Sequence, residues 1–177
     1  MGKILKQSFW STVVIYFGVL LGFINSIILF PKFLSTEQIG LIRQIISAAT
    51  ILIPIATFGV SSTYVKFYPL VKESVKEKSQ FFSLNLIITI IFYSIVLLSL
   101  FIFIDEIKLV FSEKSKLFFD YIYVVYFILF VMSISTLIEA FLRARYDTVL
   151  SNIINGVSNR FFTAISFILL SLSLIDF

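Results

Sequence analysis

Long apolar stretches, separated by short charged segments, dominate the pattern along the chain. Charged residues are absent from 7–31, 44–65, 79–104 and 121–138, and 148–175 is apolar apart from Arg160. A helix that crosses a membrane needs about 20 mostly apolar residues. The pattern therefore predicts an all-α, polytopic membrane helix bundle. Its five transmembrane helices are expected at about 9–30, 42–65, 81–104, 119–141 and 149–174.

Polar side chains follow one face of three predicted helices. In the second helix, at ~100° per residue, a stripe ~80° wide contains Arg43, Ser47, Thr50, Pro54, Thr57 and Ser61. The first helix has Ser11, Gly18, Gly22 and Asn25, and the fifth has Thr148, Ser151, Asn155, Ser158, Asn159 and Ser166. Because polar groups are costly in hydrocarbon, we expect these stripes to face the bundle interior.

Such a stripe has two interpretations, close helix packing or the lining of a water-filled cavity. Small and hydroxyl residues allow helix backbones to approach, and the spacing of Gly18 and Gly22 favours packing for the first helix. The second helix leaves both interpretations open. Its stripe holds the cation Arg43 and a predicted helix kink at Pro54, and each is costly without a reason.

Charged residues near the apolar segments supply further site hypotheses. Arg43 either reaches the interface or offers a fork of donors to an anionic ligand in a cavity. Lys66, at the other end of the same helix, is an interface anchor or a second cavity cation. Arg160 lies about a third of the way into the fifth helix, in a cavity or a buried pair. Glu139 pairs with Arg143, one turn on, or couples to H⁺ or Na⁺. The polar residues expected to join these cations in a cavity are Asn25, Ser47, Thr50, Asn155 and Asn159.

Composition supports a membrane protein and removes several kinds of chemistry. The chain is 59% apolar and 14% charged, whereas a soluble domain has about 25% charged residues. It contains no cysteine and no histidine, which excludes disulfides, thiolate sites and the commonest general base. A metal-dependent enzyme is disfavoured because Glu139 is the only acid at membrane depth. We therefore predict no catalytic residue, no metal site, no cofactor and no nucleic-acid partner.

The distribution of basic residues predicts the orientation. The N-terminal tail and the second and fourth loops hold eight Lys and Arg residues, against four in the first and third loops. Because cytoplasmic loops carry an excess of these residues, the N-terminus is expected to be cytoplasmic. A C-terminal reporter would then lie outside if all five helices span the membrane.

Residues 6–69 carry a family resemblance. The segment begins with KQSFW, continues through LLGFINSIILFPKFLS and TEQIGL, and closes on FGVSSTYVKFYP. It resembles the polysaccharide-type flippases, which transport lipid-linked oligosaccharides for O-antigen and capsule. These belong to the multidrug/oligosaccharidyl-lipid/polysaccharide exporter superfamily. The later helices match in length and spacing.

The resemblance implies a transporter of 12–14 helices in two lobes around a central cavity. The chain would supply helices one to five of the first lobe as a truncated fragment. Its implied function is to flip an undecaprenyl-pyrophosphate-linked oligosaccharide across the bacterial inner membrane by alternating access. The destination would be O-antigen lipopolysaccharide, capsule or exopolysaccharide. The implied partners are the lipid-linked substrate, membrane lipid and the glycan assembly machinery, and an H⁺ or Na⁺ gradient is the implied driving force.

The resemblance also sets expectations for residues and for rival functions. Arg43 and Lys66 flank the family-like second helix and are the first residues expected to hold the pyrophosphate. In the lipid II branch an arginine follows Leu-Gly-Phe, but here Leu21-Gly22-Phe23 precedes Ile24 and Asn25, which favours a sugar-polymer precursor. A drug or metabolite exporter of the same superfamily would show an acid in the first helix. A non-transporting structural subunit, pairing through Gly18 and Gly22, is the third interpretation.

Overall fold

The computed structural model describes residues 2–71, 74–110, 116–158 and 160, and these form helices and the turns between them. Four helices in this part of the chain are long and apolar enough to cross a membrane. They are Leu5–Phe33, Thr36–Thr57, Val75–Ile102 and Ile122–Ala144. The all-helical membrane fold and the first four predicted spans are thereby confirmed. The fifth begins at Thr148, but 161–174 lies outside the described residues.

Two compact units can be distinguished, one made of residues 1–39 and 145–177 and the other of 40–144. In the first unit, α1 (Gly2–Phe23) continues through a π-helical segment (Ile24–Leu29) into α2 (Phe30–Phe33). Pro31 has no backbone N–H and its ring crowds the preceding turn. The backbone widens accordingly, and the Phe30 N–H donates to the Asn25 carbonyl five residues back.

The next helix, α3 (Thr36–Thr57), begins six residues before the predicted position 42. Its start is fixed by a capping box. The Ser35 Oγ accepts from the Gln38 N–H at 3.3 Å, and the Gln38 Oε1 accepts from the Ser35 N–H at 2.8 Å. This reciprocal pair satisfies two backbone donors that a helix start otherwise leaves free. Apolarity alone could not locate the start, because the first turn is polar.

The predicted continuous helix 42–65 is wrong beyond Thr57. Phe58 has φ 48° and Gly59 has φ 68°, and a new helix, α4 (Val60–Phe67), follows them. Left-handed backbone ends an α-helix and is easily adopted only by glycine. The Phe58 ring stacks on Phe92 with centroids 4.0 Å apart, a contact that accompanies the strained conformation.

The remaining helices depart from the predicted bounds, since the third span begins at 75 rather than 81 and the fourth ends at 144 rather than 141. They are α5 (Val75–Ile102), α6 (Ile104–Val110), α7 (Lys116–Asp120), α8 (Ile122–Ala144) and, in the first unit, α9 (Thr148–Asn152) with a π-helical continuation (Ile153–Ser158). Lys76, Lys78 and Arg143 therefore lie inside helices, although the charge pattern assigned them to loops. Charged residues at the membrane interface extend a helix without entering hydrocarbon, so charge-free runs underestimate helix length.

Two apolar clusters hold the second unit together. One joins α3, α5 and α8 and contains Ile45, Ala49, Ala56, Val96, Val125 and Leu129. The other joins α4 to α8 and contains Val60, Tyr64, Leu137, Ala140 and Ala144. Tyr64 is fully buried, and its ring lies 5.0 Å from Phe81 and 6.3 Å from Phe141 between centroids. These aromatic contacts fix α4 against its neighbours despite its length of only eight residues.

Candidate functional site

In the first unit, the polar stripe of α1 packs against the segment that begins at α9. The hydroxyls of Ser11 and Thr148 are 3.3 Å apart. A Cβ added to Gly18 would lie 2.7 Å from the Gly156 carbonyl oxygen. Two helix backbones can approach this closely only at a residue without a side chain. The packing interpretation therefore holds for the glycines of α1. Gly18 is already engaged within the chain, which removes the main support for a subunit that pairs through this face.

Arg160 lies across the same face of α1. A Cβ added to Gly22 would lie 3.2 Å from the Arg160 Cζ, so the missing side chain provides room for the guanidinium. The Asn25 side chain is 4% exposed and donates from Nδ2 to the Arg160 carbonyl at 2.8 Å. Arg160 itself is exposed, and no carboxylate of the described residues forms an ion pair with it. Its predicted cavity role stays a prediction.

The polar stripe of α3 has a different environment, in the second unit. Arg43, Ser47, Thr50 and Pro54 are all exposed, whereas the opposite face of α3 supplies the buried residues Ile45, Ala49 and Ala56. Packing among the described helices thus uses the apolar face and leaves the polar one open. Of the predicted stripe, Thr57 alone is buried, and its hydroxyl donates to the Ile53 carbonyl at 2.9 Å. Arg43 lies about two turns into α3, because the helix starts at Thr36.

A cleft of about 430 Å³ lies alongside α4 and α8, which pack against each other in the same unit. It is lined by three charged side chains, three hydroxyls and two apolar residues, namely Lys66, Glu139, Arg143, Ser61, Ser62, Thr136, Val65 and Ala140. Lys66 and Arg143 both belong to the last turns of their helices. The buried contacts of Tyr64 and Ala140 behind the cleft hold its two sides in place.

The predicted ion pair between Glu139 and Arg143 is confirmed. Glutamate four residues before arginine is the favourable order on a helix. The Glu139 side chain is 16% exposed and that of Arg143 is 55% exposed. Lys66 places its Nζ 5.5 Å from the centroid of the Phe67 ring, and it has no carboxylate partner in the described part of the chain. With one acid and two bases, the cleft carries a formal charge of +1.

The structure brings together some predicted site residues and not others. Lys66 and Glu139 share the cleft, Arg43, Ser47 and Thr50 share the open face of α3, and Asn25 contacts Arg160 in the first unit. Asn159 lies outside the described residues, as does the side chain of Asn155. Described residues contain no group of three acidic, cysteine or histidine side chains that could hold a metal.

Four lining residues of the cleft were not predicted as site residues, although one of them, Ser61, belongs to the predicted polar stripe; they are Ser61, Ser62, Thr136 and Arg143. One signal could have identified two of them. Thr136, Glu139 and Arg143 recur at spacings of three and four, which places them on one face of a helix. The contribution of Ser62 could not be predicted from the stripe. The helix breaks at Phe58 and Gly59, so the residues after the break no longer follow the periodicity of the residues before it.

The sequence matches the family model described as polysaccharide biosynthesis protein over residues 4–175. The chain belongs to this family. The match extends the resemblance seen at residues 6–69 through the later helices, and the polysaccharide biosynthesis family supports a role in polysaccharide synthesis or export. Comparison with curated proteins found no match, and comparison with solved structures found none either.

Proposed function

We propose that this polysaccharide biosynthesis protein helps to flip an undecaprenyl-pyrophosphate-linked oligosaccharide across the bacterial inner membrane by alternating access. Its helices would form part of one lobe of a two-lobed transporter, with the N-terminus in the cytoplasm. No covalent step is proposed, since members of this family are typically transporters rather than enzymes. The glycan would serve O-antigen, capsule or exopolysaccharide assembly.

The observation that carries this proposal is the open polar face of α3. Arg43 follows Thr36 by seven residues, which at 1.5 Å per residue places it about 10 Å along the helix. An arginine on an unpacked face at membrane depth is costly against lipid tails. The same face presents the Ser47 and Thr50 hydroxyls further along the helix. A water-filled cavity that admits a charged, hydroxyl-rich substrate removes this cost.

The residue types suit the two ends of such a substrate. The Arg43 guanidinium offers five N–H donors in a planar fork, which matches the oxygens of a pyrophosphate. The hydroxyls of Ser47 and Thr50 can exchange hydrogen bonds with sugars. The Thr50 hydroxyl donates to the Ile46 carbonyl at 2.7 Å, which leaves its oxygen free to accept. Lys66 and Arg160 are the further cations proposed to contact the anionic part.

The driving force is proposed to be an H⁺ or Na⁺ gradient, with Glu139 as the coupling residue. Its carboxylate is the acidic side chain of the cleft and is only 16% exposed. A carboxylate can bind a cation or a proton in one state of a transporter and release it in the other. Such a group can couple the movement of the ion to the movement of the substrate. Membrane lipid and the glycan assembly machinery complete the proposed partners.

Substitution of Arg43 tests the proposal in the cells that make the protein. We expect Arg43→Ala to reduce surface glycan at least tenfold while the protein still inserts, and Arg43→Lys to retain part of the activity because it keeps the charge but loses the fork. Lys32→Ala is the control, since Lys32 is an exposed cation outside the stripe. Normal surface glycan in Arg43→Ala, with normal protein in the membrane, would refute the role of Arg43.

A further inference from the structure

The cleft between α4 and α8 has an excess of positive charge that the Glu139–Arg143 pair only partly cancels. We propose that this cleft is an anion site for a phosphate-type group, held by Lys66 and Arg143, and that Glu139 competes with the anion for Arg143. The inference deepens the proposed function, on which it rests, by assigning Arg143 to the substrate path and by giving Glu139 a specific action.

The two cations come from different helices and line the same cleft. Lys66 belongs to the last turn of α4 and Arg143 to the last turn of α8, and both line the cleft. The carbonyl ends of the helices stabilise cations there. Two cations that converge from opposite walls can hold one anion between them. A single surface lysine would hold it much less well.

The Arg143 side chain has N–H donors available for an anion. A guanidinium has five N–H donors, whereas a carboxylate has two oxygens, so the pair with Glu139 leaves donors unused. The Arg143 side chain is 55% exposed, so its remaining donors are accessible from the cleft. Solvent access on the Arg143 side weakens the ion pair with Glu139. A phosphate-type group, with more oxygens and more charge than a carboxylate, can therefore displace Glu139.

The size and lining of the cleft fit a headgroup. Its volume of about 430 Å³ is within the usual range of ~300–1,000 Å³ for small-molecule sites. Ser61, Ser62 and Thr136 add hydroxyl donors around the three charged groups. The charged groups facing Glu139 in the described cleft are Lys66 from α4 and Arg143 from α8 itself, and α5 contributes no lining residue.

Binding of inorganic pyrophosphate to the purified full chain tests the proposal. The chain is placed in phosphatidylcholine nanodiscs and titrated by calorimetry. We expect Lys66→Ala and Arg143→Ala each to weaken binding at least fivefold, with Arg143→Lys intermediate. Removal of a competing carboxylate should make Glu139→Gln bind about two- to fivefold more tightly, because weak ion pairs have energies of this order.

Lys32→Ala is the matched control. Like Lys66, Lys32 lies in the last turn of a helix and faces the ring of the next residue, at 5.6 Å from the Phe33 centroid. It lies outside the cleft and should leave pyrophosphate affinity unchanged. The proposal is overturned if Lys66→Ala and Arg143→Ala bind as the wild type does, or if Glu139→Gln binds less tightly. Arg143→Lys separates lost binding from misfolding, since it keeps the charge and the helix.

The anion could belong to the transported substrate or to a lipid headgroup, and a second lipid composition distinguishes them. If anionic headgroups enter the cleft, phosphatidylglycerol nanodiscs should lower pyrophosphate affinity in a manner that depends on Lys66. If they do not, affinity should be the same in both lipids, and the substrate is the source. Either result supports the anion site. Failure of this site would leave the Arg43 result intact, because that variant is assayed by surface glycan.

Discussion

Substitution of Gly18 offers a direct test of how α1 binds the segment after α9. In Gly18→Ala, the new Cβ would lie 2.7 Å from the Gly156 carbonyl oxygen and 3.1 Å from its carbon. Carbon and oxygen atoms at van der Waals contact are ~3.4 Å or more apart, near the optimum separation of non-bonded atoms. Both partners are backbone atoms, so relief requires that one helix segment move away from the other.

The magnitude follows from two opposing terms. Overpacking in a close contact costs about 1–3 kcal/mol, while alanine in place of glycine in a helix gains about 1 kcal/mol. Gly40→Ala isolates the second term, because nothing lies within 4 Å of a Cβ at Gly40, and it should be stabilising. Gly22→Ala should be intermediate, since its Cβ would meet the Arg160 side chain at 3.2 Å, and a long side chain can move. The expected order of stability is Gly40→Ala, then Gly22→Ala, then Gly18→Ala.

A disulfide assay can measure the contact, because the chain has no cysteine of its own. Ser11→Cys and Thr148→Cys would replace two hydroxyls that are 3.3 Å apart and should cross-link under mild oxidation. The difference between the two terms is a net loss of up to about 2 kcal/mol, which lowers the ratio of docked to separated helices by up to about 30-fold. The initial cross-linking rate should therefore fall in Gly18→Ala and remain unchanged in Gly40→Ala.

Equal cross-linking rates in the Gly18 and Gly40 variants would refute this reasoning. That result would mean that the close approach of Gly18 to Gly156 does not limit docking. A loss of cross-linking in both variants would instead indicate a general effect of alanine substitution, since Gly40 lies in α3 and not in α1. In both cases the packing interpretation of the α1 stripe would have to be abandoned.

Three further predictions concern helix ends and orientation. Ser35→Ala should cost about 1 kcal/mol of stability, because it removes the acceptor for the Gln38 N–H, and thermal unfolding in detergent would detect it; an unchanged unfolding temperature would argue against the capping box. Gly59→Ala should destabilise the α3–α4 junction by about 1–2 kcal/mol, since the residue has positive φ, and Gly40→Ala is again the control for the same assay. A cysteine at Glu73 should react only from the cytoplasm and one at Lys114 only from outside, and the reverse pattern would contradict the predicted orientation.

Much of the fold could be predicted from the sequence, because a segment that crosses the hydrocarbon of a membrane must be long, apolar and helical. The long apolar segments gave four spans close to their observed positions. Their ends were less predictable, since capping at Ser35 and left-handed backbone at Phe58 and Gly59 depend on local hydrogen bonds and dihedral angles. Helices extend past the predicted ends where charged residues continue them at the interface, as Lys76 does at the start of α5 and Arg143 at the end of α8.

The candidate site was only partly predictable for a related reason. Periodicity tells which residues share a face, but it does not tell what covers that face. The stripes of α1 and α3 look alike in sequence, yet the one containing Gly18 is used in packing while the one containing Arg43 is open. The cleft is lined by residues from two helices. The spacing of Glu139 and Arg143 indicates only the residues that one of these helices contributes.

The most direct test of the account is the water accessibility of the α3 stripe. In the cysteine-free chain, Thr50→Cys lies on the stripe and Ile51→Cys lies at nearly the same depth, ~100° around the helix. Both native side chains are exposed, Ile51 by 73%. If a water-filled cavity runs along α3, a membrane-impermeant thiol reagent should modify Thr50→Cys in intact membranes and leave Ile51→Cys unmodified. Equal protection of both positions would contradict a water-filled cavity along α3.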